Sequence, residues 1–165
     1  MINNTDLAII KQLEQEIGKE LKQIDLDAIT SSYDNGYAVD ENNNVVGLNL
    51  DNSKISTIPN ALTYLKNLQK LSIICNNIEQ LPDSFAQLQN LSDLDLRNNQ
   101  LKELPESFWQ LQNLSELYLS NNKLTRLPPK IQKLERLTYL DLQRNFIQES
   151  EVKVIRKMFK DAVIF

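Results

Sequence analysis

The apolar pattern of this chain restarts at Val45, Leu68, Leu91, Leu114 and Leu137, each 23 residues after the last. A fixed period of that length specifies a stack of similar turns, each burying its apolar face only against its neighbours. In the turn from Leu91 the apolar places are Leu91, Leu94, Leu96, Leu101, Leu104, Phe108 and Leu111, and the adjoining turns fill them with Leu, Ile or Phe. Strand side chains alternate, so in "LDL" Leu94 and Leu96 share one face and Asp95 takes the other. Five such strands in parallel predict a concave wall with the leucines behind it.

Two further columns keep the same register. Asn76, Asn99, Asn122 and Asn145 recur where each turn leaves its strand, and a short amide offers both donor and acceptors to backbone groups that lose their sheet partners there. Ser53 takes this place in the first turn, which predicts a less perfect ladder at that end. Pro59, Pro82, Pro105 and Pro128 open the convex segments, where short helices are expected with Pro near the first helical position.

Both ends of such a stack need covers. Leu7, Ile10, Leu13, Ile17 and Leu21 have helical spacing, with Asn4 or Thr5 as N-cap and Gly18 as the stop, which predicts a helix over about 6–17. "YAVD" and "VVGLNL", parted by "ENNN", predict a hairpin leading into the first turn. At the other end Ser150, Glu151 and Lys157 replace the usual Leu, Pro and Leu; Val152, Ile155 and Phe159 have helical spacing, and "AVIF" reads as a closing strand. The expected layout is one domain: a cap over 1–44, five repeats over 45–147 and a cap over 148–165.

"LSDLDLRNNQL" and "LSELYLSNNKL" match the L-x-x-L-x-L-x-x-N-x-L signature of leucine-rich repeats, and the chain resembles that family over residues 45–147. "LPESFWQL", "LPDSFAQL" and "LPPKIQKL" are similar to the 23-residue type of intracellular Ras-group and bacterial members. "NGYAVDENNNVVGLNL" resembles the start of the repeat arm in bacterial Roco proteins. The resemblance implies a right-handed α/β leucine-rich-repeat solenoid with a parallel concave sheet, short convex helices and terminal caps. It also implies a role in protein binding.

The chemistry that is missing narrows the function. There is no histidine, which removes schemes built on imidazole, and one cysteine without histidine makes a zinc site a poor reading. Gly18, Gly36 and Gly47 lie too far apart to form a phosphate-cradling loop. Cys75 has no base near it in sequence and reads as a partly buried, reduced thiol. Asp93, Asp95 and Glu116 share a face and invite a cation or acid–base reading, but an open repeat surface lacks the enclosure that shifts carboxylate pKa values. No catalytic residue, metal or cofactor is expected.

The net charge of -4 is uneven: residues 1–44 hold three basic and nine acidic groups, 45–149 eleven of each, and 150–165 four and two. An array neutral over its length offers nucleic acid no continuous basic stripe. No long apolar run predicts a membrane span, and the lone Cys75 agrees with a reducing compartment. The expectation is a cytosolic monomer.

Function then rests on the outward strand positions: Gly47, Asn49, Asp51; Lys70, Ser72, Ile74; Asp93, Asp95, Arg97; Glu116, Tyr118, Ser120; Tyr139, Asp141, Gln143. Asp93, Asp95, Glu116 and Asp141 make the middle acidic, Tyr118 and Tyr139 stand beside them, and Lys70 and Arg97 temper the charge. These eight residues are the expected partner surface, fitted to a protein segment with basic groups. The Roco resemblance offers a regulatory partner of a GTPase as an alternative, and an exported surface-recognition protein is another. Trp109 replaces smaller residues of other turns and is expected to pack on the convex side, or, if exposed, to mark a second contact surface.

Overall fold

A computed structural model describes residues 4–30 and 34–165. Its backbone is a single eight-stranded sheet in which sequential strands are spatial neighbours. One strand per turn, β3 (Val45–Asn49), β4 (Lys70–Ser72), β5 (Asp93–Asp95), β6 (Glu116–Tyr118) and β7 (Tyr139–Asp141), runs parallel to the next in a uniform 23-residue register. Leu71, Leu94, Leu117 and Leu140 at the strand centres are all 0% exposed, so the period sets the core column. Truncating one of them is expected to cost roughly 2–5 kcal/mol, because the neighbouring turns close the gap only in part.

The asparagine ladder is as expected. Asn99 accepts from Ile78 N at 3.0 Å and donates to Ile73 O at 2.8 Å in the preceding turn; Asn122 does the same with Leu101 N (2.9 Å) and Leu96 O (2.9 Å). Asn76 and Asn145 repeat the pattern, whereas Ser53 reaches only Asp51 O of its own turn. One position before each of these stands a column that sequence reasoning missed: Asn52, Cys75, Asn98, Asn121 and Arg144 all have φ between 52° and 56°.

The convex segments are 3₁₀ helices of five residues, Asn60–Tyr64, Asp83–Gln87, Glu106–Gln110 and Pro129–Lys133. Each column proline precedes its helix with an extended ψ of 131° to 156°, capping it rather than occupying its first turn. Five residues suffice for the tighter helix to turn the chain back without spending a longer segment. Phe85 and Phe108 stack along the column with centroids 6.4 Å apart. Trp109 is 1% exposed and edge-on to Phe108 at 5.5 Å, which leaves no second contact surface there.

The N-terminal helix α1 (Asn4–Ile17) begins two residues ahead of the expected start, so Thr5 lies inside it rather than capping it. It buries Ile10 and Leu13, and Gly18 stops it at φ +67°. Buried Asp6 accepts from Val45 N at 2.7 Å, fastening helix to first turn. β1 (Lys22–Gln23) is parallel to β2 (Gly36–Val39), and β2 forms the expected antiparallel hairpin with β3. At the far end α2 (Glu149–Met158) buries Val152 and Ile155, and β8 (Val163–Ile164) adds to β7 as the closing strand.

Candidate functional site

Alternation along the strands brings the eight expected partner residues to the concave side, but they are not equally available. Asp95 is 2% exposed, which corrects its placement among the open acids. Both of its oxygens accept from Arg97 Nε at 2.9 Å, and Arg97 Nη2 approaches at 2.6 Å. Asp95 therefore positions Arg97, and its oxygens are not open to a cation or a partner. That pairing raises the Arg97 pKa and keeps the guanidinium charged.

Arg97 lies over the Tyr118 ring at 5.3 Å, and Tyr118 packs on Tyr139 with centroids 4.8 Å apart. The register makes this packing diagonal, since Glu116 stands opposite Tyr139 and Tyr118 opposite Asp141. Phe165 continues the row at 5.6 Å from Tyr139. Sequence reasoning left Phe165 out, although a closing strand in alternation with Tyr139 already pointed to it. Tyr118 Oη donates to Glu116 Oε2 at 2.7 Å; burial first, and then this hydrogen bond, push the phenol pKa up. The tyrosine stays neutral, with its proton committed to Glu116.

Asp93, Glu116 and Asp141 are half-buried carboxylates on this surface. Asp93 accepts from Ser92 Oγ and stands opposite Lys70 in the register; Asp141 accepts from Gln143 N at 3.1 Å. Among the described residues no group of three His, Cys, Asp or Glu is arranged to hold a metal ion. Cys75 is exposed, correcting the expectation of a partly buried thiol, because its place on the turn points it outward.

The main surprise is what lies on the first part of the wall. Residues 24–30 cross it: a Cβ built on Gly47 would stand 2.6 Å from Ile29 Cγ1 and 2.8 Å from Leu26 Cδ1. Asn49 Nδ2 donates to Ile29 O at 2.8 Å, and Asn49, Ser72 and Ile29 are all 0% exposed. The outward positions of β3 are therefore interior. Thr30, at the end of this segment, joins Asp93, Asp95, Arg97, Glu116 and Tyr118 around a cavity of about 230 Å³. The sequence signal was Gly47, a glycine inside a strand, which marks a close approach of another segment.

No described helix is long and apolar enough to cross a membrane. Family models described as leucine rich repeat match residues 43–101 and 66–124, and a two-copy model matches 112–153. Comparison with curated proteins gave no match. Among solved structures, a leucine-rich-repeat protein of Leptospira interrogans is 41% identical with a TM-score of 0.65, covering 68% of this chain. The chain spans only 29% of that protein. A chain of the BIR3–SERK2 complex of Arabidopsis thaliana is 29% identical with a TM-score of 0.60, covering 67% of this chain and 62% of that one. The ectodomain of the Arabidopsis receptor kinase SOBIR1 is 22% identical with a TM-score of 0.68, covering 99% and 92%, a likeness of fold alone.

Proposed function

Since this chain belongs to the leucine-rich-repeat family, we propose that the C-terminal half of its concave sheet binds a protein segment carrying basic groups, without catalysis. Leucine-rich-repeat domains are generally protein-interaction scaffolds rather than enzymes. The observation that carries the finer reading is the set Asp93, Glu116 and Asp141 beside the Tyr118–Tyr139–Phe165 row, on the part of the wall that the described residues leave partly exposed. Among the outward strand positions Arg97 and Lys70 oppose these acids, and Arg97 is already engaged by Asp95. A basic side chain would meet carboxylates here while its stem covers aromatic surface. That a solved relative is a chain of a complex between BIR3 and SERK2 supports a protein as the ligand.

The proposal extends to a cytosolic monomer of the 23-residue type. Arg156 Nε donates to Ile164 O at 3.2 Å, occupying an acceptor of the last strand, which discourages edge-to-edge pairing. The resemblance of residues 35–50 to a Roco arm would make the partner a GTPase.

The test is affinity capture from the native cell, followed by binding measurements on Tyr118→Ala, Glu116→Lys and Asp141→Lys with circular dichroism as the control for folding. Each charge reversal is expected to weaken the captured partner roughly tenfold, about 1.4 kcal/mol. Undiminished affinity in all three sinks the concave-face reading.

A further inference from the structure

The repeat register carries through the C-terminal cap in a way that the concave face does not use. Leu62, Phe85, Phe108 and Ile131 form one column of the core, each 23 residues after the last and none more than 1% exposed. The next member is Val154, which is 49% exposed. The cause is a change of helix. Four turns place this residue in a 3₁₀ helix, whereas the last turn builds α2, whose wider period gives the core-facing positions to Val152 and Ile155. Glu151 stands where earlier turns have proline and accepts from Leu127 N at 2.6 Å, anchoring the start of α2.

Between α2 and the helix Pro129–Lys133 this leaves a groove of about 390 Å³, lined by Leu127, Pro129, Ile131, Val154, Ile155 and Met158. Its surroundings are basic once internal pairs are set aside. Lys130 is paired with Glu106, Arg156 with Glu149 at 3.3 Å, and Glu151 is committed to the backbone. Lys133, Lys153 and Lys157 are exposed and have no ion-pair partner among the described residues. Lys153 and Lys157 are one turn apart on α2, next in the chain to the lining residues Val154 and Met158, and Lys133 ends the helix that supplies Ile131.

We propose that this groove is a second docking site, and that its occupant is an acidic amphipathic segment of a protein partner. An apolar side chain of that segment takes the place a sixth turn would fill against Val154, Ile131 and Met158. Its Asp or Glu residues meet Lys133, Lys153 and Lys157. The concavity selects an inserted side chain over a lipid surface, because α2 presents only Val154 as an exposed large apolar group and holds it inside the cleft. The selectivity is opposite to that of the acidic concave sheet, so the two sites take different segments.

The test pans a displayed library of random peptides, about four helical turns long, against the full chain. Recovered peptides are then measured by fluorescence anisotropy on the wild type, on Val154→Asp and on the double variant Lys153→Glu/Lys157→Glu. These substitutions fall on exposed positions, and circular dichroism checks the fold. The expected result is net-acidic peptides with apolar residues three and four apart, bound at least tenfold more weakly by both variants. Recovery of no peptide that Val154→Asp weakens, or of peptides so weakened that prove basic or charge-indifferent, overturns the proposal, basic peptides that Glu116→Lys weakens being counted to the concave sheet. Two further results also overturn it. One is binding to phosphatidylserine vesicles that Val154→Asp abolishes and no peptide competes, which would assign the groove to a lipid surface. The other is self-association lost in Val154→Asp without peptide binding, which would assign it to a second copy.

Discussion

Over β3 the concave wall is roofed by residues 24–30 of its own chain, whereas from β6 to β8 the described residues leave it partly exposed, and the residues at equivalent strand positions explain the difference. On β3 these are Gly47, which leaves room for Leu26 and Ile29, and Asn49, whose amide satisfies the Ile29 carbonyl. On β6 and β7 they are Glu116, Tyr118, Tyr139 and Asp141, too bulky and too polar to lie under a roof of apolar side chains. The same backbone register thus gives a cap at one end and a candidate site at the other. Small or amide side chains let the chain fold back on its sheet, while carboxylates and stacked rings keep the surface in water.

The sharpest way to break this comparison is to remove the roof. Ile29 is fully buried, and Ile29→Ala is expected to cost about 3 kcal/mol in urea denaturation, within the range for truncating a core aliphatic. Gly47→Ala forces a methyl against Ile29 and Leu26 and is expected to cost about 2 kcal/mol. In the Ile29→Ala background the Gly47→Ala penalty should shrink, because the two side chains occupy one space. Additive costs would show that the segment 24–30 does not rest on Gly47 in solution.

Acid titration sharpens the contrast from a second side. Asp51, at the margin of the roofed half, is 8% exposed, and burial raises its pKa, opposed by hydrogen bonds from Ser72 Oγ and Ile74 N, both at 2.7 Å. A carboxyl whose folded pKa is raised binds its proton more tightly in the native state. Its contribution is therefore fully present below the ordinary value of 3.8 and is lost as pH rises through the folded pKa. As pH rises above about 4 the wild type should lose stability through this group, and Asp51→Asn should flatten that part of the curve. Denaturant midpoints across the range check it; an unchanged slope in Asp51→Asn would remove Asp51 from the account.

Which parts of this were legible in the sequence follows from how each is encoded. The strands, the core column, the asparagine ladder and the two terminal covers repeat or have a clear period, so five copies, or one amphipathic pattern, state the same instruction. Asp95 looked like Asp93 because alternation fixes the face of a side chain but not its depth; burial under Arg97 depends on a pair two residues apart that only the fold brings together. The roof was least visible. Ile24, Leu26 and Ile29 have no clean period, and their contact is with a sheet face some twenty residues later, for which Gly47 was the one local sign. The groove at Val154 was hidden for a related reason, since it belongs to a repeat position that the cap reuses with a different element, while Phe165 follows a closing strand that pairs one residue out of the 23-residue register.

The turn column offers the smallest test, and it crosses the boundary between the halves. Asn52, Cys75, Asn98, Asn121 and Arg144 all sit at positive φ, a conformation that costs most L-residues about 1–2 kcal/mol and that asparagine tolerates best after glycine. The backbone N–H groups of Asn52, Cys75, Asn98 and Asn121 pair with the following turn, as Cys75 N does with Arg97 O at 3.1 Å, so the conformation there is imposed by the stack and not by the residue type. Cys75→Asn is expected to raise stability by about 1 kcal/mol, and Asn98→Ala to lower it by a similar amount, read from urea midpoints. Arg144→Asn, in the open half, should match Cys75→Asn in sign and size, because both occupy the same place in the repeat. A gain at Cys75 without one at Arg144 would mean that the open end relaxes its last turn, and the two halves would then differ in backbone as well as in cover.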